Sequence, residues 1–159
     1  MFTAAQRMTA IPPGPPTEPR LSLADGPVQQ AVLDGGWWPR SRDPVAELPG
    51  LILALNDRFG MIRQLMVNAE SWDGRFRRLA VGSRNVRVEW SSTGEPGTLP
   101  GTLIATTDDG DRIDLLVVPP DATAAAANGA MSAASDPGNR LGAGAVLSAF
   151  AADGHRPAR

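Results

Sequence analysis

The residues with the clearest chemical potential stand together in Leu33-Asp34-Gly35-Gly36-Trp37-Trp38-Pro39-Arg40-Ser41-Arg42-Asp43-Pro44. Two of the chain's four tryptophans are adjacent here, and two arginines follow them. An indole offers a flat face for stacking and for cations, and a guanidinium makes forked hydrogen bonds to carboxylate or phosphate. On an extended backbone neighbouring side chains point to opposite faces. One tryptophan is therefore expected in the core and the other outward, unless a helix or the tail covers it. This predicts a contact site of Trp37, Trp38, Arg40 and Arg42, in which a tryptophan stacks on a partner and the arginines hold an anionic group. Gly35 and Gly36 would let a backbone or ligand come close. The competing expectation puts both tryptophans in the core and pairs Arg40 and Arg42 with Asp34, Asp43 or Glu47.

A second candidate is the basic segment Arg75, Arg77, Arg78, Arg84 and Arg87, which contains no acid. With Trp72, Phe76 and Trp90 in or beside it, it has the ingredients of a single-strand nucleic-acid surface. The competing expectation is a solvated face, neutralised by the acidic stretch Asp108-Asp109-Gly110-Asp111 and Asp114. Those carboxylates lack the loop length and closing glutamate of an EF-hand. Asp-Gly between alternating strands reads as a hairpin turn, so no metal site is assigned.

Composition narrows the chemistry further. The 159 residues contain no cysteine, no lysine and no tyrosine, and all fifteen basic residues are arginines. Thiolate catalysis, Schiff bases and a phosphate-loop lysine are excluded. The single histidine, His155, lies in the polar end of the chain, where a proton shuttle for the fold is not expected. Ser-His-Asp and histidine-rich zinc sites go with it. A formal charge of -2 gives no global pull toward nucleic acid or an anionic membrane. No signal sequence or membrane span is visible, and the expected location is the cytoplasm.

The elements that must position these residues are legible in outline. Residues 1–19 carry five prolines between Pro12 and Pro19 and read as a disordered leader. Their Pro-x-x-Pro spacings suit a partner's aromatic groove. Residues 20–139 read as one α+β domain, and 140–159 as a short helix and frayed tail. Strands are expected at Arg20–Leu23, within Val28–Trp38, at Met61–Val67, and in two hairpins. The first hairpin turns at Gly82-Ser83 and the second at Asp108–Asp111. Asp43 caps a helix with Pro44 in its first turn and Val45, Leu48, Leu51, Ile52, Leu55 and Phe59 on one face. Pro49 predicts a short first turn and a main helix starting near it. Ala122–Ala134 and Leu141–Ala152 read as small alanine-rich helices. Together these predict a mainly antiparallel sheet of five to six strands, one internal helix and small C-terminal helices.

The Leu-Asp-Gly-x-Trp-Trp-Pro-Arg-Ser-Arg-Asp block resembles the signature of a family of small uncharacterised actinobacterial proteins, a domain of unknown function. Glu47-Leu48-Pro49, Leu115 to Pro120 and the turn Asp136 to Asn139 carry the rest of the resemblance, which spans about Arg20 to Asn139. It implies a lineage and no activity, so no catalytic residue is assigned. The expected function is a non-catalytic binding or regulatory module for an anionic ligand or a protein partner, with no cofactor and no membrane. The alternatives are nucleic-acid binding through Arg75 to Arg87 and, more remotely, a carboxylate- or magnesium-dependent enzyme. A homodimer through the sheet face is a further expectation.

Overall fold

The computed structural model describes residues 9–24, 33–74, 76–91, 101–136, 138 and 141–155. The elements in chain order are β1 (Thr9–Ala10), β2 (Leu21–Leu23), β3 (Gly35–Trp37), α1 (Pro44–Phe59), β4 (Ile62–Asn68), a 3-10 turn (Ala69–Ser71), β5 (Arg78–Val81), β6 (Arg84–Ser91), β7 (Thr102–Thr107), β8 (Arg112–Val117), α2 (Ala124–Ala134) and α3 (Ala143–His155). Residues 25–32, part of the expected second strand, lie outside the described residues.

Helix α1 starts where its cap dictates. The Asp43 carboxylate accepts the Val45 N–H at 3.0 Å, and the Asp43 carbonyl accepts the Glu47 N–H at 3.1 Å. Gly60, with φ of +105°, ends it. The expectation of a main helix beginning near Pro49 needs correction: α1 runs unbroken from Pro44 to Phe59 with Pro49 inside it. Pro49 lies in the second turn, so the ladder loses one bond near an end that already lacks partners. Leu48, Leu51, Ile52 and Leu55 are fully buried and hold the axis across it.

The sheet is mixed and eight-stranded, in the order β1-β5-β6-β4-β7-β8-β3-β2. This corrects the expectation of five to six mainly antiparallel strands. β1–β5, β4–β6 and β3–β8 are parallel. The two expected hairpins are present as β5–β6 and β7–β8. Gly82 takes φ of +60° at the first turn, which an L side chain resists. Hairpins announce themselves through their turns, whereas parallel neighbours far apart in sequence leave no local signature.

One face of the sheet carries Leu65, Val67, Leu79, Val86, Val88, Leu103, Ala105, Ile113 and Leu115 under α1. Among the described residues the opposite face is covered by helices at one end only. There Leu116 and Val118 join Leu33, Ala127, Ala130, Met131, Ala134, Ala143 and Val146 in a second core beneath α2 and α3. Of the leader, residues 9–19 run along the domain. Thr9 and Ala10 pair with β5, and a side chain at Gly50 would collide with the Thr17 carbonyl. Among the described residues no helix is long and apolar enough to cross a membrane.

Candidate functional site

Strand β3 sits between β2 and β8, with Trp37 in register with Leu21 on one side and Val117 on the other. Alternation then sends the two tryptophans to different cores. Trp37 is 1% exposed and stacks on Trp72, with ring centroids 5.6 Å apart and an interplanar angle of 24°. It therefore leaves the set of contact residues expected from the sequence. Trp38 is half-buried and packs against the second core. Its ring is capped by the Arg20 guanidinium at 3.6 Å. Arg20 also donates to the Trp38 carbonyl at 2.9 Å and the Pro39 carbonyl at 3.0 Å. Burial lowers the Arg20 pKa, with the Arg40 charge adding and the Glu47 charge opposing. The cation on this indole thus comes from the chain itself, from a residue the spacing of the block does not reveal. The Trp38 indole N–H is buried without a hydrogen-bond partner.

The loop after Trp38 is held by Glu47, whose residue is 8% exposed. Its carboxylate accepts the Arg40 backbone N–H at 2.9 Å and the Ser41 hydroxyl at 2.8 Å. The pairing of Arg40 or Arg42 with Asp34, Asp43 or Glu47 is therefore replaced by other contacts. Arg40 donates to the Glu18 carbonyl at 2.6 Å. Arg42 donates to the Ser71 carbonyl at 3.5 Å and lies 3.8 Å from the Asp121 carboxylate.

Beside Arg42 opens a cleft of about 290 Å³. Trp72, Val117 and Leu147 and the rings of Pro39, Pro119 and Pro120 form its apolar lining. Ser41, Arg42 and Ser71 supply the polar groups. The volume lies at the small end of ligand pockets, and the mix of apolar walls with a few polar groups is typical of them. Of the expected contact residues, only Arg42 lines it. Trp72, Ser71 and Leu147 were missed as site residues. They come from the 3-10 turn and its cap and from α3, and no spacing links them to the Trp-Trp block.

The basic segment does not assemble as one surface. Arg75 lies outside the described residues. Arg84 is bound by both carboxylate oxygens of Asp108 at 2.8 Å each. That hydrogen bond raises the Arg84 pKa and lowers that of Asp108. Arg77 and Arg87 are exposed and Arg78 half-buried, with Arg78 and Arg87 opposite each other in register. The aromatic neighbours face elsewhere. Trp72 and Phe76 are buried. Trp90 meets Phe76 edge-on at 5.5 Å and donates its indole N–H to the Phe76 carbonyl at 2.7 Å. Among the described residues no group of three or more His, Asp or Glu side chains is placed to hold a metal.

Residues 20–134 match the model of a family of unknown function (DUF5994), a span that takes in β2 to α2 and stops before α3. No curated protein and no solved structure matches the chain.

Proposed function

The chain belongs to that family of unknown function, and from the geometry of its site we propose that it is a non-catalytic binding module whose cleft takes an apolar body carrying one anionic group. The observation that carries this reading is the state of Arg42. Among the described residues it is the one cation lining the cleft, whose walls are mainly apolar. Its ion pair with Asp121 is long, at 3.8 Å, and joins side chains 45% and 83% exposed. Such a pair contributes little, and a ligand carboxylate can take its place. The buried aromatic Trp72 supports the apolar end, braced from behind by Trp37. A chain with no cysteine, lysine or tyrosine supplies few groups for proton or acyl transfer.

Calorimetry with octanoate, paired with octanamide as its neutral counterpart, tests the reading. Octanoate is expected to bind and octanamide to bind about tenfold more weakly, the loss of one charge-assisted contact. Arg42→Gln should erase that difference. Gly144→Leu provides a block that spares Arg42: Gly144 lines the cleft, and a Cβ built on it meets no atom within 4 Å. It should abolish binding while the thermal melt is unchanged. If octanoate does not bind, or binds equally well to both variants, the cleft is not the site.

A further inference from the structure

We propose that the uncovered half of the sheet binds a second copy of this chain, face to face, about a twofold axis running across the strands. The surface is defined by register. Arg78, Arg87, Gln64, Thr106 and Arg112 are successive partners across β5, β6, β4, β7 and β8, and so form one row on one face. Two residues along, Glu89, Met66, Ile104 and Asp114 form the next row across β6, β4, β7 and β8. Both rows lie opposite the core-facing set that includes Val88, Leu65, Ala105 and Ile113. Arg87, Glu89 and Arg112 are exposed and Met66 and Ile104 half-buried. Among the described residues no helix covers them.

The two rows are complementary to each other in charge. The first has arginine on β6 and β8, and the second has a carboxylate on the same two strands. A twofold axis lying between the rows and perpendicular to the strands exchanges the rows while keeping each strand in its place. It sets Arg87 over Glu89 of the second copy and Arg112 over Asp114 of the second copy, and each pair occurs twice, as an isologous interface requires. Met66 and Ile104 lie between these charged ends and are covered by Gln64 and Thr106 of the second copy. The same operation reverses each strand and leaves the strand axes of the two sheets aligned, the common way for two sheets to pack, at roughly 10 Å separation. Arg112 already binds Asp114 within the chain at 2.8 Å, so that end becomes a cluster of alternating charge. Five strands about 4.8 Å apart and some five residues long present only about 400 Å² per copy, so the association is weak and concentration-dependent. Nucleic acid fits this face less well, because Glu89 and Asp114 alternate with the arginines and no aromatic ring lies in either row.

Sedimentation equilibrium of the full chain tests this, with the wild type expected to pass from monomer to dimer around 100 μM. Arg87→Glu and Glu89→Arg should each raise that midpoint by about tenfold or more, because each places like charges together twice. An equimolar mixture of the two variants should restore association as a heterodimer, and the double variant R87E/E89R should restore it in one chain. Both positions are exposed. Melting curves should match the wild type, and Arg87→Gln and Glu89→Gln serve, with smaller shifts, should either reversal fail to fold. The proposal is overturned if the wild type stays monomeric to about 1 mM, far above the affinity of specific contacts. It is equally overturned if the single reversals dimerise unchanged or the mixture does not associate. A monomeric wild type that binds a thymidine oligonucleotide with steep salt dependence would assign the face to nucleic acid instead.

Discussion

The face of the sheet opposite α1 has two halves, and they differ in what their side chains allow to approach. Under α2 the strands present Gly36, Leu116 and Ser22. A Cβ on Gly36 would come within 2.9 Å of the Met131 Cα and 3.3 Å of the Ala134 Cβ. The helix therefore sits directly on the strand, and alanines at 127, 130 and 134 permit the same closeness from its side. Across β5, β6, β4 and β7 the same face presents Arg78, Arg87, Gln64 and Thr106. Long charged side chains keep a helix off, and their charge stays in water unless a surface of matching charge meets it. Small residues thus commit one half to the chain's own helices, and the long side chains leave the other half without one among the described residues.

This contrast can be broken by substitution, and the largest effect should come from the tryptophan pair. Trp37→Ala removes a fully buried ring stacked on Trp72 and is expected to cost about 3–5 kcal/mol in urea unfolding. Trp38→Ala, at a half-buried ring whose N–H has no partner, should cost nearer 1 kcal/mol. Equal losses would mean that the two cores are energetically one. A smaller effect separates the halves themselves. Gly36→Ala forces α2 away from β3 and should cost about 1–3 kcal/mol, whereas Thr106→Ala on the open half should stay within about 0.5 kcal/mol. Similar losses at both positions would show that something also packs tightly on the open half.

The smallest effects are in pH dependence, and their signs differ. Asp34 is half-buried where β3 meets β8, and its carboxylate accepts the Asp114 N–H at 2.8 Å. Burial raises its pKa above the ordinary 3.8, with the Asp114 charge adding and the Asp114 hydrogen bond and the Arg112 charge opposing. A raised pKa in the folded state means that its contribution is full below 3.8 and is lost as pH rises through the folded value. Asp34→Asn keeps an acceptor oxygen and should slightly raise the melting temperature at neutral pH and leave it unchanged near pH 3. Asp108, lowered chiefly by its Arg84 bond, has the opposite sign: its contribution exists above 3.8 and is lost as pH falls. Asp108→Asn should slightly lower the neutral melting temperature, and the difference should shrink as pH falls below 3.8 toward the lowered folded value. Melts of both variants at the two pH values check the pair together.

What is local follows from the amino-acid sequence alone. Asp43, Pro44 and Gly60 set the ends of α1, Gly82 set the first hairpin, and alternation sent Trp37 and Trp38 to opposite faces. Each follows from periodicity, a cap or a turn within a few residues, where backbone geometry leaves little choice. The parallel neighbours, the Arg20 cap on Trp38, the meeting of Arg42 with Trp72 and Leu147, and the two charged rows arise only in the assembled fold. Those depend on which distant strands pair and in what register, and that is set by the packing of two cores rather than by any segment's own preference. Arg84 and Arg87 lie close in sequence, yet one is bound by Asp108 while the other stands in register between Arg78 and Gln64 on the opposite face of the sheet.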